Sequence, residues 1–263
     1  TGVCDPHLHN LSTTINDQKY YLQTSPEFAM KRLLAAGSGS IYQICKAFRD
    51  DEKGRLHNPE FTMIEWYRED LDYLQLMDEV EELILKVTEI KGIMRITYRD
   101  AFLLTIEIDP FITTVEDLSK TAGNVSGIMT KNDLLDLILI DQVLPKLDKA
   151  VFLYDFPEDQ AAMAKVRGNI SERFELIING IELANGYTEL IDPVEQEKRF
   201  ENENKQRQEQ GMEPMQIDQK LLNALDEGIP ECAGVALGLD RLLMIMHEKN
   251  SLAEVLPFPI EKI

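Results

Sequence analysis

Arg49 and Arg241 lie in segments whose residue types suit phosphate chemistry. Phe48-Arg49-Asp50-Asp51, with Asn58-Pro59-Glu60-Phe61-Thr62-Met63-Ile64-Glu65-Trp66-Tyr67 after it, reads as strand, charged loop, strand, with Arg49 at the lip. Gly234-Val235-Ala236-Leu237-Gly238-Leu239-Asp240-Arg241 reads as a glycine-rich strand entering a helix that carries the second arginine. Two arginines converging from distant segments suit a polyphosphate better than a core. That pairing points to a nucleotide-using enzyme. Neither G-x-x-x-x-G-K followed by Ser or Thr nor G-x-G-x-x-G occurs, so such a site is not of the P-loop or Rossmann type.

A second constellation surrounds Asn179-Gly180, a favoured two-residue hairpin turn. With that turn Ile178 pairs with Ile181, Ile177 with Glu182 and Glu175 with Ala184, which makes Glu175 and Glu182 diagonal neighbours on one face. Carboxylates brought together repel unless a cation sits between them, and Mg²⁺ held by one or two carboxylates and phosphate oxygens is a natural occupant. The alternative is a solvated face with both glutamates at the surface. On the strand after the arginine loop, Phe61, Met63, Glu65 and Tyr67 share one side and Thr62, Ile64 and Trp66 the other. The first side suits a planar ring stacked on Phe61 and a polar pocket at Glu65 and Tyr67. A solvent-facing strand side is the alternative, and Arg49 has the same exposed alternative. His57 reads as a surface or phosphate-contacting residue, His7 and His9 as loop histidines, and His247 as a helix cap.

The elements that position these residues follow from local signals. Thr24-Ser25-Pro26-Glu27 starts a helix with a hydroxyl cap, Pro in the first turn and an early Glu, running through Met30, Leu33 and Leu34 to a stop at Gly37. Residues 41–48 and 61–67 are the strands of the arginine hairpin, and residues 1–20 read as loop and edge, ending in the strand-like Tyr20-Tyr21-Leu22. Leu71 to Ile90 is an amphipathic helix with Leu74, Met77, Val80, Leu83 and Val87 as its core stripe. Residues 97–147 are helix-rich, and Val151 to Tyr154 is a strand closing at Pro157. Glu172–Ile178 and Ile181–Asn185 form the carboxylate hairpin, after which the chain bends easily at Gly186 before Glu189. Helices at 193–209, 217–227 and 239–247 and a strand at 233–238 complete the chain. Strands and helices do not alternate regularly, so the expectation is α+β, a mainly antiparallel sheet flanked by helices, in a single domain spanning 1–263 with a helical insertion near 97–147.

Composition narrows the function classes. The chain has 263 residues, 47 acidic against 27 basic, and a formal charge of −20. Such a field disfavours broad contact with nucleic-acid backbones, which rests on Lys and Arg neutralising phosphates. Cys4, Cys45 and Cys232 are far apart, which argues against a disulfide framework or structural zinc and fits a reducing cytoplasm. No run approaches the roughly 18 apolar residues of a membrane span. The loop-like opening at Thr1, without methionine, leads us to expect further residues ahead of it.

Together these segments resemble class II aminoacyl-tRNA synthetases of the lysyl type, in order from residue 24 to 245. Thr24-Ser25-Pro26-Glu27 with Met30-Lys31-Arg32-Leu33 is similar to the family's substrate helix, and Phe48 through Phe61 to its motif 2. Gly180-Ile181-Glu182-Leu183-Ala184-Asn185-Gly186-Tyr187-Thr188-Glu189-Leu190 is similar to its metal and amino-acid segment, and Gly234 to Arg241 to its motif 3. More narrowly, the chain resembles the elongation factor P β-lysine ligases, paralogues of lysyl-tRNA synthetase that lack the anticodon-binding domain. The wording of His57 to Tyr67, the lack of room for an oligonucleotide-binding barrel, and Ala236 in place of a glycine favour that group.

The resemblance implies that ATP and Mg²⁺ are used. (R)-β-lysine or lysine would be activated as an adenylate and passed to a lysine of elongation factor P. By position, Arg49 would hold the α-phosphate, Arg241 the γ-phosphate, and Phe61 would stack on adenine. Asp50, Asp51, His57, Asn58, Glu182, Leu183 and Gly238 would complete the ATP site, with Glu175 and Glu182 on Mg²⁺. Ser25, Pro26, Glu27, Tyr67, Asn185, Glu189 and Ala236 would line the amino-acid pocket, with Glu189 and Tyr67 on the terminal ammonium. Arg49, Arg241 and Glu182 would be the catalytic set. Asp50-Asp51 departs from the family's Asn-Glu. Motif 1 has no counterpart here, so a homodimer is implied by the family alone. The competing readings are a lysyl-tRNA synthetase core charging tRNA and a non-catalytic homologue that retained the fold. The acidic balance weighs against the first. The intact Arg49, Glu175, Glu182 and Arg241 weigh against the second.

Overall fold

The structure is a computed structural model that describes residues 10–50, 53–123 and 129–262. Asp51, His7, His9 and Cys4 lie outside those residues. In chain order the elements are β1 (Ser12–Ile15), β2 (Gln18–Tyr21), α1 (Glu27–Ala35), β3 (Ile41–Phe48), β4 (Glu60–Glu69), α2 (Tyr73–Val87), β5 (Met94–Thr97), α3 (Tyr98–Ile106), α4 (Val115–Ala122) and α5 (Lys131–Ile138). They continue with β6 (Ala150–Pro157), β7 (Val166–Arg167), β8 (Ile170–Ile178), β9 (Ile181–Thr188), α6 (Pro193–Glu209), α7 (Gln219–Glu227), β10 (Cys232–Gly238) and α8 (Leu239–Met246). The fold is α+β with mainly antiparallel strands. No helix among the described residues is long and apolar enough to cross a membrane.

The chain forms two compact units, one of Thr1–Leu71 with Glu189–Ile263 and the other of Asp72–Thr188. In the first, β4 is paired antiparallel by β3 on one side and β10 on the other. The register sets Gln43 and Ala236 beside Glu65, and Ile41 and Gly234 beside Tyr67. Helix α1 begins where Ser25 Oγ accepts the Glu27 N–H at 3.1 Å. Pro26, expected inside the first turn, is instead the N-cap residue and makes no side-chain cap bond. The helix stops as predicted at Gly37, whose φ of +80° suits a residue without Cβ. A β1–β2 hairpin turns at Asn16-Asp17, both in the left-handed region.

In the second unit β9, β8 and β6 run antiparallel in that order, β5 joins β6 in parallel, and β7 pairs with β8. Tyr98, Phe102, Leu118, Leu134, Leu135, Ile138, Val151, Leu153 and Ile177 pack as its apolar core. This holds the helix-rich segment against β5 and β6. Helix α2 starts at Asp72, which accepts the Gln75 N–H in a capping box, so Leu71 is outside it. Its buried stripe is Tyr73, Leu76, Met77, Val80 and Ile84; Leu74 is 40 % exposed, a correction to the expected stripe. The cause is geometric: Leu74 sits on the edge of the arc that Met77 and Val80 centre.

Candidate active site

Arg49 and Arg241, both in the first unit, are tied to the loop between β3 and β4. Arg49, just past β3, donates its backbone N–H to Pro59 O at 3.0 Å, and its guanidinium lies 5.1 Å from the Phe61 ring centroid. Arg241 on α8 donates Nε to Leu56 O at 3.3 Å. Asp240 accepts the Thr62 N–H at 2.6 Å, pinning the start of α8 to β4. Gly238 is the residue before α8, and a Cβ there would touch the Arg241 stem at 3.8 Å, an ordinary contact. Asn58 is buried and organises the loop: Nδ2 donates to Glu60 O at 2.6 Å, and Oδ1 accepts the Ile260 N–H at 2.9 Å. His57 is exposed and its backbone bridges to Gly54; Asp50 is exposed at the strand end.

The inner side of β4 is buried. Met63, Glu65 and Tyr67 are each under 5 % exposed, which rules out the solvent-facing alternative for this part of the strand. Tyr67 donates its hydroxyl to Glu65 Oε1 at 2.7 Å. Glu189, next after β9, is buried on the same unit and donates its N–H to Cys232 O at 2.9 Å. Gly186, expected as a bend, lies inside β9 opposite Phe174. Ser25 and Pro26 hold the start of α1, so that Glu27 and Lys31 project one turn apart; Lys31 Nζ is 2.8 Å from Glu27 Oε1 and 2.5 Å from Glu189 Oε2. Ala236, half-buried, faces the same side as Glu65.

Burial, with help from Glu27 and Glu189, pushes the Glu65 carboxyl up to about 8 against the Tyr67 hydrogen bond and Lys31. Burial likewise pushes Glu189 up to about 8; Lys31 opposes this and Glu27 adds to it. For Lys31, burial works against the charge, but Glu189 and Glu27 outweigh it and hold the ammonium above the usual lysine range. Lys31 and Gly234 were given no role by sequence reasoning. Lys31 does carry a readable signal, its i,i+4 spacing to Glu27 on the side of α1 that buries Met30 and Leu34.

In the second unit the carboxylate hairpin turns at Asn179-Gly180 as expected, with φ of 53° and 75°. Its register is corrected, however. A bulge at Leu183 shifts the pairing, so Glu175 faces Asn185 rather than Ala184. Glu175 and Glu182 remain close enough that Glu182, after burial, is the next cause raising Glu175 to about 7, while Arg173 opposes. Arg173 Nη2 is 2.5 Å from Glu175 Oε1, and Asn185 Nδ2 donates to the same oxygen at 3.3 Å. Asn185 thus bonds Glu175 in the structure, and Leu183 is buried at the bulge. Two carboxylates are a donor set that fits Mg²⁺ shared with phosphate oxygens. Among the described residues no group of three or more His, Cys, Asp or Glu forms an all-protein metal cage.

Buried Glu65 and Glu189 and the two arginines share one unit built on antiparallel strands, an arrangement in keeping with the class II synthetases. The sequence model of the tRNA synthetases class II (D, K and N) matches residues 7–262, and the chain belongs to that family. Within it, the chain is similar to three proteins named elongation factor P–(R)-β-lysine ligase. The one from Vibrio atlanticus is 44 % identical over 99 % of this chain and 86 % of its own length. Those from Pectobacterium atrosepticum (44 %, 92 % and 78 %) and Yersinia enterocolitica (45 %, 91 % and 77 %) align nearly as fully.

Proposed function

We propose that this chain activates (R)-β-lysine with ATP and transfers it to a lysine side chain of elongation factor P, in keeping with relatives named elongation factor P–(R)-β-lysine ligase. The observation that carries this reading is the acid group of buried Glu65 and Glu189 with partly buried Glu27, held in the same compact unit as Arg49 and Arg241. A diamino acid brings two ammonium groups, and each needs a charged partner once desolvated.

In the first step a substrate carboxylate oxygen bonds to the α-phosphorus as the bond to the β-phosphate bridging oxygen breaks and pyrophosphate leaves. Arg49 and Arg241 offset charge on the α- and γ-phosphates and Phe61 stacks under adenine, so catalysis is positioning and electrostatics. Mg²⁺ held by Glu175 and Glu182 would supply further charge neutralisation at the phosphates. In the second step the acceptor lysine nitrogen bonds to the adenylate carbonyl carbon, AMP leaves with the electron pair, and the nitrogen loses a proton. No side-chain nucleophile is required. The family also implies a cytoplasmic homodimer, which light scattering on purified protein checks for assembly.

ATP–pyrophosphate exchange with (R)-β-lysine and with α-lysine, followed by the mass of elongation factor P, is the test. Exchange with (R)-β-lysine and a single β-lysyl adduct are expected; exchange with α-lysine alone together with charging of tRNA would sink the reading. Arg241→Ala is expected to lower exchange by about 100-fold or more while leaving the circular dichroism spectrum unchanged.

A further inference from the structure

Glu175 ends a side-chain network centred on Arg173, a residue that the proposed reaction does not use. Arg173 lies two residues earlier on β8, so the period of two puts both side chains on one side of the strand. Its guanidinium is engaged at every nitrogen and on one face. Nη2 is 2.5 Å from Glu175 Oε1, Nε donates to Asn185 Oδ1 at 3.3 Å, and Nη1 donates to Gln160 O at 2.6 Å. The face lies 4.6 Å from the centroid of the Phe156 ring, whose own centroid is 4.9 Å from that of Tyr98 in the apolar core of the second unit. Asn185 closes a ring of side chains, accepting from Arg173 through Oδ1 and donating to Glu175 Oε1 through Nδ2 at 3.3 Å. Both bonds to Glu175 converge on Oε1, and Oε2 receives neither.

We infer that Arg173 is a positioning residue of the metal site: it fixes Glu175 through Oε1 so that Oε2 alone is presented to Mg²⁺, in one orientation. The inference rests on the Mg²⁺ reading above and specifies what makes Glu175 a one-oxygen ligand. A carboxylate free to rotate offers a metal either oxygen or both, and ordering it on binding costs side-chain entropy. Here the ordering is done when the protein folds. Mg²⁺ demands near-octahedral geometry, so a ligand held in place matters more to it than to a larger ion. Outer partners that orient a ligand in this way change metal affinity about 10–100-fold. Charge and geometry act in opposite directions at Arg173. Its positive charge opposes a nearby cation, whereas its planar fork prepares the ligand. Lysine keeps the first and loses the second, because one ammonium cannot replace the three guanidinium nitrogens that meet Glu175, Asn185 and Gln160 O.

Calorimetric titration of ATP in EDTA and in saturating Mg²⁺ measures the gain in affinity that the metal confers. Wild-type protein is expected to bind ATP more tightly with Mg²⁺. Arg173→Lys is expected to lose about tenfold or more of that gain, with its ATP affinity in EDTA unchanged. The Mg²⁺ concentration that half-saturates pyrophosphate exchange should rise by a similar factor, while the KM for (R)-β-lysine holds. An arginine that only supports the fold lowers the fraction of active protein and moves neither quantity. Arg173→Lys with the wild-type gain overturns the inference, and so does equal weakening of ATP binding in EDTA and in Mg²⁺. If Arg173→Lys fails to fold, Asn185→Ala carries the test, since it removes the other donor to Oε1 and leaves the guanidinium in place. A reduced gain in that variant supports the inference and an unchanged gain overturns it. Wild-type protein that gains nothing from Mg²⁺ refutes the metal reading and the inference with it, whereas a wild-type gain kept by the variants refutes the role of Arg173 only.

Discussion

A methyl group on Gly234 would sit 2.4 Å from Glu189 Oε1 and 2.5 Å from the Tyr67 ring, closer than any real side-chain contact. Neither neighbour can give way easily, because Glu189 is held by Lys31 and the Tyr67 hydroxyl by Glu65. Gly234→Ala is therefore expected to cost about 1–3 kcal/mol of stability by overpacking. It should raise the KM for the amino acid while leaving that for ATP nearly unchanged; equal changes in both would mean the pocket lies elsewhere. Glu65 gives a pH test. Its unfolded carboxyl titrates near 4.5 and its folded one near 8, so between those values the folded state binds the extra proton. Stability is greatest below that window and falls as pH rises through it. Glu65→Gln stays neutral and still accepts from Tyr67, so its thermal midpoint should change less with pH across that window than the wild type's. Glu189 retains its own share of the slope, and an unchanged slope in Glu65→Gln would remove Glu65 from the buried group.

The β8–β9 hairpin shows what an element transmits to its site. Gly180, at φ 75°, takes a conformation that costs an L side chain, so Gly180→Ala is expected to lose about 1 kcal/mol, seen as a thermal midpoint a few degrees lower. The turn was legible because Asn-Gly names its own geometry. The bulge was not. Leu183 and Ala184 are consecutive and both buried, and nothing in Glu182-Leu183-Ala184-Asn185 separates them from an ordinary strand. That one residue decides which side chain faces Glu175. Of the β1–β2 hairpin only the second strand was legible, at Tyr20-Tyr21; Ser12–Ile15 is exposed throughout, so no apolar alternation marks the first. Helix α1 was legible from its ends, and its buried lysine was not, since a lysine among apolar residues usually reaches past them to water. Glu189, far along the chain, together with Glu27 one turn earlier, helps to hold Lys31 in.

At the scale of the molecule the charge of −20 weighs against a nucleic-acid acceptor. A tRNA contacts a protein through many phosphates, each needing a cation and each contributing a salt-dependent release of counterions. Here the arginines proposed to hold phosphates, Arg49 and Arg241, are both fastened to one short loop, a footprint that would fit one nucleotide. The acidic remainder repels a polyanion. In a mobility-shift experiment at about 0.1 M salt, tRNA should not be retarded, nor should it slow β-lysine transfer to elongation factor P. Lowering the salt tenfold should lower the thermal midpoint, because self-repulsion of the acidic surface is then less screened. A tRNA complex that survives about 0.1 M salt and competes with transfer would require a basic strip able to overcome the whole-molecule field. It would return the chain to the tRNA-charging reading, because the same arginine loop and acid pocket would then serve a nucleic-acid acceptor.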